Sequence, residues 1–380
     1  MRRVMQFQAF VLIGLLATHS LPSYAVSEAE FNALKEQMNQ MANRLENAYG
    51  KDTQGHTSSG TTTVGGYGEM HFNSLSNPSG PRKKELDFHR FVLFFGHEFN
   101  DRIRLRSEFE LEHALTKDTA DGSGPGEVEL EQAYVEFDIN DSTQLKGGVF
   151  LIPVGILNET HEPPTFYGTE RNPIEKNIIP ATWWEGGIMV SGHSDSGLSY
   201  DLALTSGLAG GTDIRGGRQK VAESSADNLA LTGRLKFTGV AGLELAGTIH
   251  IQDDITQDTF DNIEGATLIE AHVIWNTGPI TIKALTAKWD IDGTGASSTD
   301  KDVQDGSYIE AAYKLTPAIG VFARQNIWDN GGIGDTEKTQ SDVGINYWPH
   351  EDVVVKVDYQ NQDDNAGNSD GLNIGIGYQF

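Results

Sequence analysis

Between Ile103 and His113 the chain alternates. Ile103, Leu105, Phe109 and Leu111, with Ser107 among them, fall on one face, and Arg104, Arg106, Glu108, Glu110 and Glu112 fall on the other. A period of two predicts a β-strand. Charges along one side and apolar residues along the other suit a barrel wall between water and lipid better than a soluble sandwich. The pattern recurs. Leu229, Leu231, Leu235 and Phe237 face away from Arg234 and Lys236; Leu243, Leu245, Ile249 and Ile251 from Glu244, His250 and Gln252; Val353, Val355, Val357 and Tyr359 from Lys356, Asp358 and Gln360. Short connections such as Asn100-Asp101 and Asn276-Thr277-Gly278 alternate with long ones over 74–84, 114–126, 208–226 and 292–305. Short turns at one end and long loops at the other describe an all-β, transmembrane antiparallel β-barrel of about sixteen strands. Two strands break the pattern. Glu127 to Asp138 changes face near Gln132, which predicts a bulge, and Ile280 to Trp289 has no clean face.

The N-terminal part has other periods. Residues 1–25 combine Arg2 and Arg3, an apolar run from Phe7 to Ala17 and the small residues Ser23-Tyr24-Ala25. This is expected to be a secretory signal peptide. Over 26–49, Phe31, Leu34, Met38, Met41 and Leu45 recur at spacings of three and four. That predicts a short periplasmic coiled-coil helix. A polar linker is expected over 50–60, and the barrel over 61–380. At the other end Leu372, Ile374, Ile376, Tyr378 and Phe380 alternate up to the last residue. This ending resembles the terminal strand of outer-membrane barrels, and the resemblance implies that Tyr378 and Phe380 form the aromatic signal read by the outer-membrane barrel assembly machinery.

Composition narrows the classes. Absence of cysteine excludes Cys-based zinc and iron–sulfur sites, and a formal charge of -26 argues against nucleic acid as a partner. After the signal no apolar window of 18 residues exists, so a membrane location requires a barrel. Outer-membrane lipid is then the expected surrounding.

The longest interruption, 154–182, reads VGILNETHEPPTFYGTERNPIEKNIIPAT, with Pro153 just before it. Loops longer than about 12–15 residues are uncommon and usually functional or disordered. A sixteen-stranded barrel leaves an aqueous lumen that side chains cannot fill. A proline-stiffened third loop folded into that lumen would narrow it. The expected constriction residues are Glu159, His161, Glu162, Tyr167, Glu170, Arg171 and Lys176, facing a lumen wall of Arg104, Arg106, Glu108 and Glu110. The wall arginines could form a local anion track, or pair with wall carboxylates such as Glu108.

ELEQAYVEF, the loop with its flanks (PVGILNETHEPPTFYGTERNPIEKNIIPATWWEGG) and the terminal GYQF resemble the phosphate-selective porin O/P family. The resemblance covers most of the chain from Gly65 onward and includes the heptad segment. It implies a homotrimeric sixteen-stranded outer-membrane porin with its third loop in the pore. This chain departs from the family's rows of Arg and Lys: its loop and predicted lumen faces mix acids with bases, and phosphate specificity does not follow.

Other chemistry has weaker signals. Asp290–Gly293 and Asp363–Gly371 are oxygen-rich but lack the ligand spacing of calcium loops. His71, His89, His97 and His113 lie in predicted strands with no grouping as ligands, so no metal site or cofactor is expected. Gly-x-Ser-x-Gly is absent, and an enzyme is not expected. The expected function is passive diffusion of small hydrophilic solutes or ions, with phosphate/anion selectivity or a non-channel anchor or adhesin as alternatives.

Overall fold

The computed structural model describes residues 60–77, 80–116, 126–259, 262–363 and 369–380. The signal-peptide and coiled-coil expectations lie outside the described residues. The described chain is a closed antiparallel barrel of sixteen strands in which each strand pairs with its sequence neighbours. The strands are β1 (Thr61–Asn77), β2 (Gly80–Asn100), β3 (Ile103–Glu112), β4 (Val128–Asn140), β5 (Thr143–Leu151), β6 (Trp184–His193), β7 (Leu198–Thr205) and β8 (Ala230–Val240). They continue as β9 (Leu243–Gln252), β10 (Ala266–Thr277), β11 (Ile280–Ile291), β12 (Val303–Thr316), β13 (Ile319–Asp329), β14 (Lys338–His350), β15 (Val353–Asp363) and β16 (Gly371–Gln379). β1 and β16 close the barrel, with Tyr67 opposite Gln379, and Phe380 and Gly66 exchange backbone hydrogen bonds of 2.9 and 3.0 Å.

Alternation decides which way each side chain points. Phe109 is 41% exposed on the outer wall, while its neighbours Glu108 and Glu110 are buried on the inner one. Leu235, Ile269, Ile309, Val343 and Val357 likewise face outward, and Arg234, Glu270, Glu310, Asp342 and Lys356 inward. A continuous apolar outer surface around a polar interior is inverted relative to a soluble protein, and lipid is the environment that makes it stable. Closure leaves no sheet edge, so every strand finds its backbone partners inside the bilayer.

Three features of the wall shape the interior. Glu108 pairs with Gln132 but Phe109 pairs with Leu130, so Glu131 is an extra residue and the face change near Gln132 is a bulge. A second bulge lies in β2. Arg90 pairs with Glu69 and Asp87 with His71, leaving two β2 residues opposite Met70. It turns both His89 and Arg90 toward the lumen. Third, β11 has no clean polar face because its inner side is dry. Leu285, Ala287, Trp289 and Ile291 are buried against loop residues, while Lys288 and Asp290 pair on the exposed side at 2.6 Å.

One expectation is corrected. The region 74–84 is not a long loop, because Ser74 pairs with Lys84 and Leu75 with Lys83, and strand runs to Asn77 and restarts at Gly80. The hairpin stands beyond the end of β3, whose last pair with β2 is Arg90–Glu112. Arg82, Lys83, Lys84 and Glu85 are exposed there. A ribbon with water on both sides has no reason to alternate, so its sequence reads as loop.

Candidate functional site

The third connection at this end of the barrel, residues 152–183 (L3), follows β5 and folds into the barrel. Its base is clamped by Asn158, whose amide donates to the carbonyls of Ile152 (2.7 Å) and Trp183 (2.9 Å) and whose oxygen accepts from the Trp183 N–H (2.7 Å). Its turn is organised by Glu175, which is fully buried. One carboxylate oxygen accepts from the N–H groups of Ile156 (2.7 Å) and Leu157 (2.5 Å), the other from Asn172 (3.1 Å) and the Tyr308 hydroxyl of β12 (2.8 Å). Around this polar centre Ile152, Val154, Ile156, Leu157, Phe166, Ile174, Ile178, Ile179 and Trp183 form an apolar core with Leu268, Leu285, Trp289, Tyr308 and Trp328 of the wall. Burying each such side chain contributes about 1.5–3 kcal/mol. The Trp289 indole also donates to the Ile178 carbonyl at 2.9 Å. Gly306 permits the close approach: a Cβ there would lie 3.1 Å from both Ile174 and Ile178.

The opposite side of L3 is polar and faces β1–β4. His161 is buried between two wall carboxylates, its Nε2 3.5 Å from both Glu108 and Glu131. Its Nδ1 donates to the Asn158 carbonyl at 3.2 Å. Burial disfavours the charged imidazole, but Glu108 and Glu131 outweigh burial and raise its pKa to about 10. Glu159 pairs with Arg234, and Glu170 accepts from His71 and Asn73, each at 3.1 Å. Tyr167 packs between Phe322 and Trp348, with ring centroids 5.5 Å from each, and helps line a cavity together with short-turn residues Pro317, Ala318 and Pro349. Glu162 is half-buried and its carbonyl accepts from Thr165.

A second loop, residues 206–229 (L4), also turns inward and clasps the first. Arg215 donates to the carbonyls of Lys176 (2.9 Å) and Ala181 (2.7 Å), and Arg218 to that of Thr182 (2.5 Å). Arg171 donates to the Thr182 hydroxyl at 3.2 Å, and a second guanidinium nitrogen is buried with no hydrogen-bond partner among the described residues. Desolvation and the neighbouring guanidiniums of Arg218 and Arg171 pull the Arg215 pKa down to about 9. These three arginines and Lys176 line a cavity of about 370 Å³ shared with Arg90, Glu69, Glu112 and Glu170. The acids there include partnered ones: Arg90 binds Glu69 at 2.8 Å, and Lys220 of L4 pairs with Glu127 and Glu129. Among the described residues, Arg171, Lys176, Arg215 and Arg218 have no carboxylate within ion-pair distance. A second cavity of about 480 Å³ shares Arg171 and Lys176 and opens beside the β1–β2 hairpin.

The proposed wall residues separate along β3. Glu108 and Glu110 lie beside L3, whereas Arg104 and Arg106 line a different cavity of about 650 Å³ with the short-turn residues Asp101, Asn140 and Asp141. There Arg104 pairs with Glu136 (2.7 Å) and Asp138 (2.5 Å), and Arg106 with Glu98 (2.8 Å), rather than with Glu108. Sequence reasoning missed Glu175, Asn158, Arg215 and Arg218. The available signal for the arginines was the run GGTDIRGGRQK (210–220) within a long connection. Glu175 and Asn158 had no such signal, because an acid and an amide in a polar loop read as solvated.

The chain is 30% identical over 345 residues to a protein of Aquifex aeolicus (strain VF5) described as an uncharacterized protein, covering 79% of this chain and 76% of the relative. The two belong to one family. No family model matches, so the resemblance to the phosphate-selective porin O/P family rests on the loop and terminal residues that carry it. Among solved structures the fold is similar to an anion-selective porin from Comamonas acidovorans (TM-score 0.60, 10% identity, 84% of this chain and 100% of that one). It is also similar to the outer membrane channel DcaP of Acinetobacter baumannii (0.59, 12%, 86% and 99%). A third is the outer membrane protein OmpT of Vibrio cholerae in a trimer form (0.54, 10%, 84% and 99%). At these identities the likeness establishes a porin-type barrel.

Proposed function

We propose that this protein is a non-enzymatic outer-membrane diffusion channel with an anion-preferring constriction built from L3 and L4. One observation carries the reading: L3 fills one side of the lumen with a dry core and leaves, on the other, a cavity whose lining includes four cations without carboxylate partners among the described residues. Basic linings favour anions. Arg171 and Lys176 come from L3, Arg215 and Arg218 from L4, and Glu159, His161, Glu162, Tyr167 and Glu170 position the loop around them. Arg104 and Arg106 belong to the short-turn side of the path. Three copies are the assembly that the resemblance implies, and Tyr378 and Phe380 would serve the assembly machinery.

The test is the reversal potential of the purified protein in a planar bilayer under a KCl gradient, repeated with phosphate. A potential of chloride sign that phosphate shifts or blocks supports the reading. A cation-selective current indifferent to phosphate overturns the anion preference and leaves a general diffusion channel. Absence of current overturns the channel and favours an anchor or adhesin. A native gel of protein lacking residues 27–49 tests whether the N-terminal segment holds a trimer together: an unchanged trimer refutes that role.

A further inference from the structure

Asp87, His89 and His113 converge at the rim where β3 ends, and the channel reading uses none of them. The Asp87 Oδ2 atom lies 3.1 Å from His89 Nδ1 and 2.8 Å from His113 Nδ1. One potential ligand atom from each residue lies within 4.8 Å of the others. Two ligands at right angles, each about 2.1 Å from an ion, stand about 3 Å apart. The observed spacings therefore need only small adjustment for an ion to replace the protons between ring and carboxylate. The side chains of Asp87, His89 and His113 are 16%, 26% and 33% exposed, so an ion can reach them and still find open coordination positions for water.

Two features of the backbone produce this convergence. The β2 bulge brings His89 to the lumen side next to Arg90, where regular alternation would point one of the two outward. His113 follows the last residue of β3 in a left-handed conformation (φ 52°), and its N–H donates to the His89 carbonyl at 3.1 Å. That conformation is uncommon outside glycine, and asparagine, aspartate and histidine are the side chains that adopt it most readily. It folds the His113 ring back toward Asp87 instead of out into the following loop. His71 stacks on His89 with centroids 4.7 Å apart and is itself held by Glu69 and Glu170, which fixes the plane of the His89 ring.

We infer that Asp87, His89 and His113 form a binding site for a divalent first-row transition-metal ion in the channel mouth. Two imidazoles and one carboxylate select borderline ions such as Zn²⁺ or Ni²⁺ over Mg²⁺ and Ca²⁺, which prefer all-oxygen cages. An ion bound there adds positive charge beside the cavity that Arg171 and Lys176 line. Occupancy would increase the anion preference of the channel. This last consequence rests on the channel reading; the binding itself does not.

The test is calorimetric titration of the folded full-length protein in detergent with Zn²⁺, and with Mg²⁺ as control. The variants are D87N and H113N, asparagine being a residue that tolerates the left-handed backbone at 113. Folding of each is checked by heat-modifiable migration on a gel. The expected result is saturable binding of Zn²⁺ but not Mg²⁺, weakened about 10–100-fold or more in both variants, the loss typical when metal ligation is disturbed. No Zn²⁺ binding, or equal binding by the folded variants, overturns the site and leaves Asp87 as a hydrogen-bond acceptor for two histidines. In bilayers, Zn²⁺ should shift the reversal potential of the wild type toward anions and leave H113N unmoved. A protein that carries no current but binds Zn²⁺ refutes the channel and retains the site.

Discussion

Replacing Glu175 with alanine should release L3 from the lumen while leaving the barrel folded. The buried carboxylate holds four donors: two L3 backbone N–H groups, the Asn172 amide and the Tyr308 hydroxyl. Hydrogen bonds to a charged group contribute about 1.5–3 kcal/mol each, and a buried donor left unpaired costs about 1–3 kcal/mol. Pore water reaches some of the freed donors, so the sum is not additive, and a net cost of about 4–8 kcal/mol to loop docking follows. Every 1.4 kcal/mol is a factor of ten, so the undocked population rises by roughly three to six powers of ten. The barrel's own pairing between strands is untouched. Trypsin is the direct assay, because Arg171 and Lys176 lie within L3 and are protected only while the loop is docked. E175A should be nicked there under conditions that leave L3 of the wild type uncut, and its single-channel conductance should rise. E175Q keeps the shape and one acceptor oxygen, and should lose about 1–2 kcal/mol and remain largely protected. E175A with wild-type protection and conductance would refute the role of Glu175 as the organiser of the loop.

Further predictions follow from the same geometry. The His161 pKa is raised from its ordinary 6.5 to about 10, so its contribution to L3 docking is complete below about pH 6.5 and is lost as pH rises through 10. Trypsin sensitivity of L3 should increase over that window in wild type; H161Q should be sensitive throughout, and an identical pH profile in the two proteins contradicts the assignment. Gly306→Val places a branched side chain against Ile174 and Ile178 and should loosen L3 by about 1–3 kcal/mol, the usual cost of overpacking, read as increased proteolysis in an intact barrel. Replacing Arg171 and Arg215 together by glutamine should move the reversal potential toward cations, whereas replacing Arg104, which would unmask Glu136 and Asp138 but lies on the short-turn side outside the L3–L4 cavity, should shift it less. A larger shift from Arg104 than from the pair would place the selective charge on the short-turn side.

The barrel was legible because alternation is repeated strand after strand, and because a wall between lipid and water imposes it on each. Even the irregularity near Gln132 could be read, since a bulge leaves a face change in the sequence. The two places that resisted have opposite causes. Ile280 to Trp289 lacks a polar face because L3 makes the inner side of β11 apolar, a contact made by residues more than a hundred positions away. Arg82 to Glu85 lack an apolar face because the hairpin stands in water on both sides. The candidate site was only partly legible. L3 announced itself by length and proline, but Glu175 and Asn158 act through burial, which is decided by the fold. His89 and His113 were visible as histidines, and their meeting depends on a bulge and on one left-handed residue.

The dry core between L3 and β10–β13 has a consequence for anyone wishing to re-bore this protein. In a barrel whose lumen is wet all round, an inward loop is an accessory, and deleting it widens the hole. Here the loop is one half of an interior, as a helix is in a soluble α/β domain. Removing it would leave Leu268, Leu285, Trp289 and Trp328 facing water on the lumen side of strands whose other side faces lipid. A nanopore engineered from this scaffold by loop excision would be expected to conduct better but to lose stability and solubility, unless those wall positions were made polar in the same step.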